Sequence, residues 1–243
     1  MPINAGSRSR GFTLVEMSIV LVIIGLIIGG ILKGQEIIAS ARQKAVINQV
    51  NAVRAATNTY FDRYRALPGD DPNATNIDAS LTFNGDGDGK VINTASIASA
   101  GALGNDTNGN SGEQYAFFND LIAANLLNGG QVTTAANGSN FGVSALPAAP
   151  ISGAGMTVVY GTHGGAGTAS AKTTHWVRIH KNVKTPGFAI SPRTLANIDA
   201  QIDDGIPQQG GVRGDTTSTC DNGTATYLAK DDLGCVPLFE VTQ

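Results

Sequence analysis

Apolar residues run almost unbroken from Phe12 to Leu32, and beyond them apolar positions recur at spacings of three and four. Ile38, Ala41, Ala45, Val46, Val50, Val53, Thr57, Tyr60 and Tyr64 form this second pattern, while Arg42, Lys44, Asn48, Asn51, Arg54 and Asp62 fall mostly off it. The first pattern predicts a helix without a polar face and the second an amphipathic helix with one stripe to bury. As a helix, Phe12 to Leu32 rises about 31 Å, which matches a hydrocarbon core of about 30 Å. Leu67-Pro68-Gly69-Asp70 stops the pattern, so one helix is expected from Phe12 to about Arg65, roughly 80 Å long. A lone globular domain has no use for such a rod. Half of it must be buried by a bilayer or by other copies, and its distal half is expected to pack on a sheet.

After the helix the patterns shorten. Residues 112–127 predict a helix with Phe117, Leu121 and Ala124 on one side and Phe118 and Ile122 beside them, stopped by Gly129-Gly130. Met156–Tyr160, His175–Ile179 and Phe188–Ile190 are β-branched or aromatic and predict short strands. Ser191-Pro192 reads as an N-cap followed by a helix-opening proline, leading into a helix with Leu195, Ile198 and Ile202. The expected class is α+β, a long helix on a small antiparallel sheet with glycine-rich loops and short helices.

Composition narrows the function. The chain of 243 residues is long enough for a membrane segment and one soluble core. With 16 basic residues and a net charge of -3 there is no basic patch for a nucleic-acid backbone, so no direct nucleic-acid site is expected. Enzyme chemistry is not expected either. His163 lies in a glycine-rich loop, and strand parity points His175 and His180 to opposite faces. No nucleophile elbow, zinc-protease helix or phosphate loop accompanies them. Trp176 and Arg178 share a strand face, with core packing expected for the tryptophan and solvation for the arginine.

The N-terminus carries the decisive chemistry. A short polar segment with Arg8 and Arg10 precedes the apolar run, so the arginines stay cytoplasmic and the residues after Lys33 cross over. Glu16 sits inside this run, where a carboxylate costs at least about 2.5 kcal/mol. The positive end of the helix dipole or snorkelling would ease that cost. Gly11-Phe12-Thr13-Leu14-Val15-Glu16, after a basic leader and before a spanning run, resembles the cleavage and methylation site of type IV prepilins and type II secretion pseudopilins. The resemblance implies that a prepilin peptidase cuts after Gly11 and methylates Phe12, and that Glu16 pairs with the amino terminus of a neighbouring subunit. It implies a type IV pilin-like fold in four parts: leader 1–11, transmembrane and assembly helix 12–33, amphipathic helix 34–65 and globular head 66–243.

The implied function is a structural subunit of a type IV pilus-like filament. The alternative is a pseudopilin of a periplasmic type II secretion filament. The implied partners are other copies of the chain, the prepilin peptidase, an inner-membrane assembly platform and other minor pilins. The expected location is the inner membrane with a periplasmic head, then a cell-surface pilus or, in the alternative, a periplasmic pseudopilus. Many relatives have a helix-kinking proline where this chain has Lys33, which leaves Gly29-Gly30 as the place where the helix could soften. Gly25, Gly29, Gly30 and Gly34 also have the spacing that allows close helix approach, although glycine is common in membrane helices. Tyr64-Arg-Ala-Leu-Pro-Gly-Asp-Asp-Pro72 and Ile198-Asp-Ala-Gln-Ile-Asp-Asp-Gly-Ile-Pro207 resemble segments of a large prepilin-like subgroup.

Export makes Cys220 and Cys235 either a disulfide that staples a polar loop or two buried thiols. Asn84, Asp86 and Asp88 alternate with glycine as in the first part of a calcium loop, but the position of the closing carboxylate holds Ala95. Asp106, Asn108 and Glu113 are the candidates for completing a calcium site, since some members of the resembling family hold calcium in distal loops. The competing reading is an ordinary Asp/Asn-Gly turn. Asp203 and Asp204 form a further acidic pair at a helix C-terminus, where carboxylates need a neutralising partner.

Overall fold

A computed structural model describes residues 11–91, 93–94, 112–128, 141–142, 146–163, 171–181, 187–214, 219–222 and 226–241. The chain divides into two compact units, Met1–Arg42 and Gln43–Gln243. Helix α1, Leu14–Tyr64, runs through both without a break at Gly29-Gly30 or Lys33. It ends one residue before the expected Arg65, which takes the left-handed conformation at φ 57° while its N–H bonds to the Phe61 carbonyl.

In the first unit the apolar residues of α1 face outward. Leu14, Leu21, Leu26 and Leu32 are all more than half exposed, and the helix is long and apolar enough to cross a membrane. Ile38 and Ala41, expected on the buried stripe, are also exposed, because they precede the part of the helix that meets the sheet.

The second unit begins with the stripe itself. Val46, Val50, Val53, Ala56, Thr57 and Tyr60 are buried along α1. Strands β1 Asn93–Thr94, β2 Gly155–His163, β3 Lys172–His180, β4 Val212–Gly214 and β5 Pro237–Glu240 form a five-stranded sheet in the order β1-β2-β3-β5-β4. All pairings are antiparallel except the edge pair β1–β2, which is parallel. The antiparallel expectation therefore holds for four strands. The register puts Met156, Val158, Val177, Ile179, Val212 and Phe239 on one face, in the same core cluster as the α1 stripe. Burying a side chain such as Val50 or Phe239 contributes about 1.5–3 kcal/mol, so each of these core residues matters to the head's stability.

The opposite face is also closed. Val159, Trp176 and Leu238 make a second small cluster there. Trp176 is packed as expected, but Arg178 is 2% exposed rather than solvated, and burial lowers its pKa to about 10. Arg213 lies over the Trp176 ring at 5.3 Å and donates to the His163 carbonyl at 2.7 Å.

Two short helices complete the unit. Helix α2, Glu113–Ala123, stops before the glycines expected to end it, because Asn125 takes the left-handed conformation at φ 56°. Helix α3, Pro192–Ile202, starts as read from sequence, with the Ser191 hydroxyl accepting from the Thr194 N–H at 3.3 Å. Phe188–Ile190 is not a strand. Ile190 makes a single bridge to Cys235.

The segment after α1 joins these parts. Gly69 has φ 85° and donates its N–H to Asp120 of α2 at 2.6 Å. A Cβ at Gly69 would lie 2.5 Å from the Glu113 carbonyl oxygen, which is backbone and cannot move aside. Gly69→Ala is therefore expected to destabilise the head by about 3 kcal/mol, through both the left-handed backbone and the clash. Chemical denaturation followed by Trp176 fluorescence measures this, and a change within about 0.5 kcal/mol would contradict the account.

Candidate functional site

The start of α1 is built from its own first turn. Thr13 precedes the helix, and its N–H and hydroxyl both donate to one Glu16 carboxylate oxygen at 2.8 Å. In return the Glu16 N–H donates to the Thr13 hydroxyl at 3.2 Å. This is a reciprocal capping box, which satisfies backbone donors that the first turn leaves without partners. Thr13 was not singled out from the sequence, although Ser/Thr-x-x-Glu ahead of an apolar run is its signal. Gly11 and Phe12 lie just ahead of the cap, and Phe12 is 79% exposed. A Cβ added at Gly25, Gly29, Gly30 or Gly34 would meet nothing within 4 Å, so that side of the helix is open.

Residues 6–32 match the family described as the prokaryotic N-terminal methylation motif. The motif is typical of type IV pilins and pseudopilins. These are structural, non-catalytic proteins, and with its one N-terminal apolar helix the chain is consistent with a membrane-anchored precursor. No curated protein and no solved structure significantly matches the chain. Residues 1–10 of the expected leader 1–11 lie outside the described residues.

In the head, the acidic loop is arranged around a residue that the sequence did not single out. Asp70 is 3% exposed and accepts the N–H groups of Gly87 at 2.7 Å, Asp88 at 3.1 Å and Gly89 at 2.8 Å. Burial raises its pKa, opposed by the Gly89 and Gly87 amides and reinforced by nearby Asp88 and Asp86. The carboxylates of Asp70, Asp86 and Asp88 lie within 4.8 Å of one another and could together hold a divalent cation. Asn84 is used otherwise, accepting from the Thr75 N–H at 2.9 Å. Glu113 is buried at the start of α2 and is not one of these three carboxylates, and Asp106 and Asn108 lie outside the described residues.

The second acidic segment follows the same logic. Asp203 accepts from Gly211 at 2.5 Å and Val212 at 2.8 Å, Asp204 accepts from Ile206 at 2.8 Å, and buried Asp199 accepts from Gly205 at 3.2 Å. These amides solvate the carboxylates, and the neutralising charges that such a position requires come from Arg213 beside Asp203 and Asp204 and from Arg54 beside Asp203. Asp203 also covers the start of edge strand β4.

The histidines do not converge. His175 accepts from the Val91 N–H at 3.2 Å on one face of the sheet, whereas His180 meets the Thr157 hydroxyl at 2.8 Å on the other. Burial lowers His175 to about 4, and burial followed by the Arg213 charge lowers His163 to about 4.

Cys220 and Cys235 are fully buried and form a disulfide with a sequence separation of 15. Tyr227, inside that loop, donates to Asp199 of α3 at 2.8 Å, and the Thr219 hydroxyl donates to the Gly234 carbonyl at 2.9 Å. The loop is thus held both covalently and by polar contacts. Replacing both cysteines by serine is expected to cost about 3 kcal/mol, the value for closing a loop of this length. Denaturation with and without reductant measures it: reductant should lower the midpoint of the wild type and leave the double variant unchanged.

Proposed function

We propose that this chain is a structural subunit of a type IV pilus-like filament, cleaved after Gly11, methylated at Phe12 and polymerised through its N-terminal helix. The carrying observation is the methylation motif at the head of a helix whose apolar surface faces outward over residues 12–32. That surface needs a bilayer before assembly and neighbouring helices afterwards, since exposed apolar area is costly in water. The prepilin peptidase and an inner-membrane assembly platform are the partners this reading requires, with other minor pilins as further neighbours. Before assembly the head is periplasmic, and afterwards it lies on the filament surface.

Glu16 supports the same reading. Its carboxylate has Thr13 as its partner within the chain, and a neighbour's Phe12 ammonium would supply the opposite charge. Release of Gly11 creates that ammonium, so cleavage and assembly are coupled through one charge. The second reading, a subunit of a type II secretion pseudopilus, uses the same N-terminal chemistry. The buried disulfide of the head fits either location, since both the periplasm and the cell exterior are oxidising.

Electron microscopy of sheared surface filaments, with mass spectrometry of the subunit N-terminus, tests the proposal. Long filaments built from a chain beginning at methylated Phe12 are expected. A processed chain confined to the cell envelope would favour the pseudopilus, and a chain still beginning at Met1 would overturn the maturation step. Glu16→Ala should be cleaved normally yet give at least about tenfold fewer filaments, since a loss of about 1.4 kcal/mol per added subunit already has that effect. Normal filament yield from this variant would remove Glu16 from the mechanism.

A further inference from the structure

Asp120 is fully buried in α2, and its two carboxyl oxygens have different surroundings. Oδ2 accepts the Gly69 N–H at 2.6 Å, whereas Oδ1 has no hydrogen-bond partner among the described residues. Asp71 lies close enough to act on it electrostatically, and no cation among the described residues does so. An ionised carboxylate here would bury a charged oxygen without a donor beside a second acidic group. A protonated one keeps the Gly69 bond through Oδ2, weaker than to a charged oxygen, and leaves on Oδ1 a neutral hydroxyl, which costs less to bury without a partner than a charge does.

We propose that Asp120 is a proton-dependent latch that ties α2 to the segment after α1 while its carboxyl is neutral and loosens that joint when the carboxyl ionises. The joint is more than one bond. Gly69 backbone packs directly on α2, and Asp71, two residues on, accepts the Tyr60 hydroxyl of α1 at 2.9 Å and the Asn73 N–H at 2.8 Å. The ionisable groups around Asp120 are therefore Tyr60 and Tyr64 of α1, with rings 4.6 Å apart, and Asp71 of the junction. On its own helix, buried Glu113 lies two turns earlier on the same side. Strand β2, which packs against α2, carries Tyr160 on the face that meets α1.

Burial, reinforced by Asp71 and opposed by the Gly69 amide, raises the Asp120 pKa to about 7. An unfolded aspartate titrates near 3.9, so between about 4 and 7 the native head binds the extra proton. The stabilisation is complete below that window, is lost progressively across it and is gone above about 7. Asp199, whose pKa burial also raises to about 7, adds a slope of the same sign. The diagnostic quantity is accordingly the difference between wild type and variant.

The test uses the full chain in detergent micelles, with urea unfolding followed by Trp176 fluorescence from pH 5 to pH 9. The wild-type midpoint should fall from pH 5 to about 7 and level off above it, and Asp120→Asn should remove a distinct part of the fall while Asp199→Asn removes another. Parallel wild-type and Asp120→Asn profiles would overturn the latch. Hydrogen exchange of the Gly69 amide in the wild type, corrected for intrinsic rate, reads the joint even if the variant does not fold. Protection should fall as pH rises from 5 to about 7 and level off above it, and protection that stays constant between pH 5 and 7 would equally refute the proposal.

Discussion

The apolar surface of residues 12–32 has no partner within its own unit, and this unmet burial governs what the chain can be. A helix exposed to this extent is incompatible with water, so it must exchange one apolar environment for another whenever it leaves a membrane. The head has the complementary property. Its core is closed by the C-terminal part of the same helix, where Val46, Val50, Val53 and Tyr60 are buried in one cluster with Val158, Val177 and Phe239. One helix thus carries two apolar surfaces with different fates, separated by a stretch containing Lys33, Glu36, Arg42 and Lys44 that stays largely exposed.

Within the head, carboxylates organise the loops. Asp70 gathers the amides of Gly87, Asp88 and Gly89, Asp203 those of Gly211 and Val212, and Asp199 that of Gly205. Glycine-rich loops expose many backbone donors and bring few apolar side chains to hold them in place. An aspartate that accepts several of these donors compensates, because hydrogen bonds to a charged acceptor are stronger than neutral ones. Glycine at 210 permits this geometry, since a Cβ there would lie 2.0 Å from an Asp203 oxygen.

What the sequence revealed depended on how far apart the partners lie. The long helix, α2, α3 with its Ser191 cap and the cores of β2 and β3 each follow from patterns within a dozen residues. Strands β4 and β5 do not, because Val-Arg-Gly and Pro-Leu-Phe-Glu are too short to show alternation, β5 owing its pairing to the long strand β3 and β4 to β5. Asp120 was invisible for a similar reason, its partner Gly69 being 51 residues away. In the acidic loop the alternation of Asn84, Asp86 and Asp88 suggested that each faces a common centre. The structure brings Asp86 and Asp88 to Asp70 instead and turns Asn84 toward Thr75, because the buried Asp70 offers the amides a fixed acceptor. Arg178 was misjudged because a strand covered on both faces gives its outward-reading positions no solvent to reach.

The capping box at Thr13 and Glu16 bears on how a carboxylate can wait inside a membrane helix. Capping supplies the Glu16 carboxylate with two donors from Thr13, and the open first turn adds the positive end of the helix dipole. Both reduce the cost of the charge without removing it, since neither brings a full opposite charge. Under the proposed function, a neighbour's amino terminus would do so once cleavage after Gly11 has created it. Glu16 would then be stable enough to be stored and unsatisfied enough to favour assembly. That combination requires the carboxylate in the first turn: one turn deeper, the N-terminal amides would already be committed to the helix ladder and Thr13 would be out of reach.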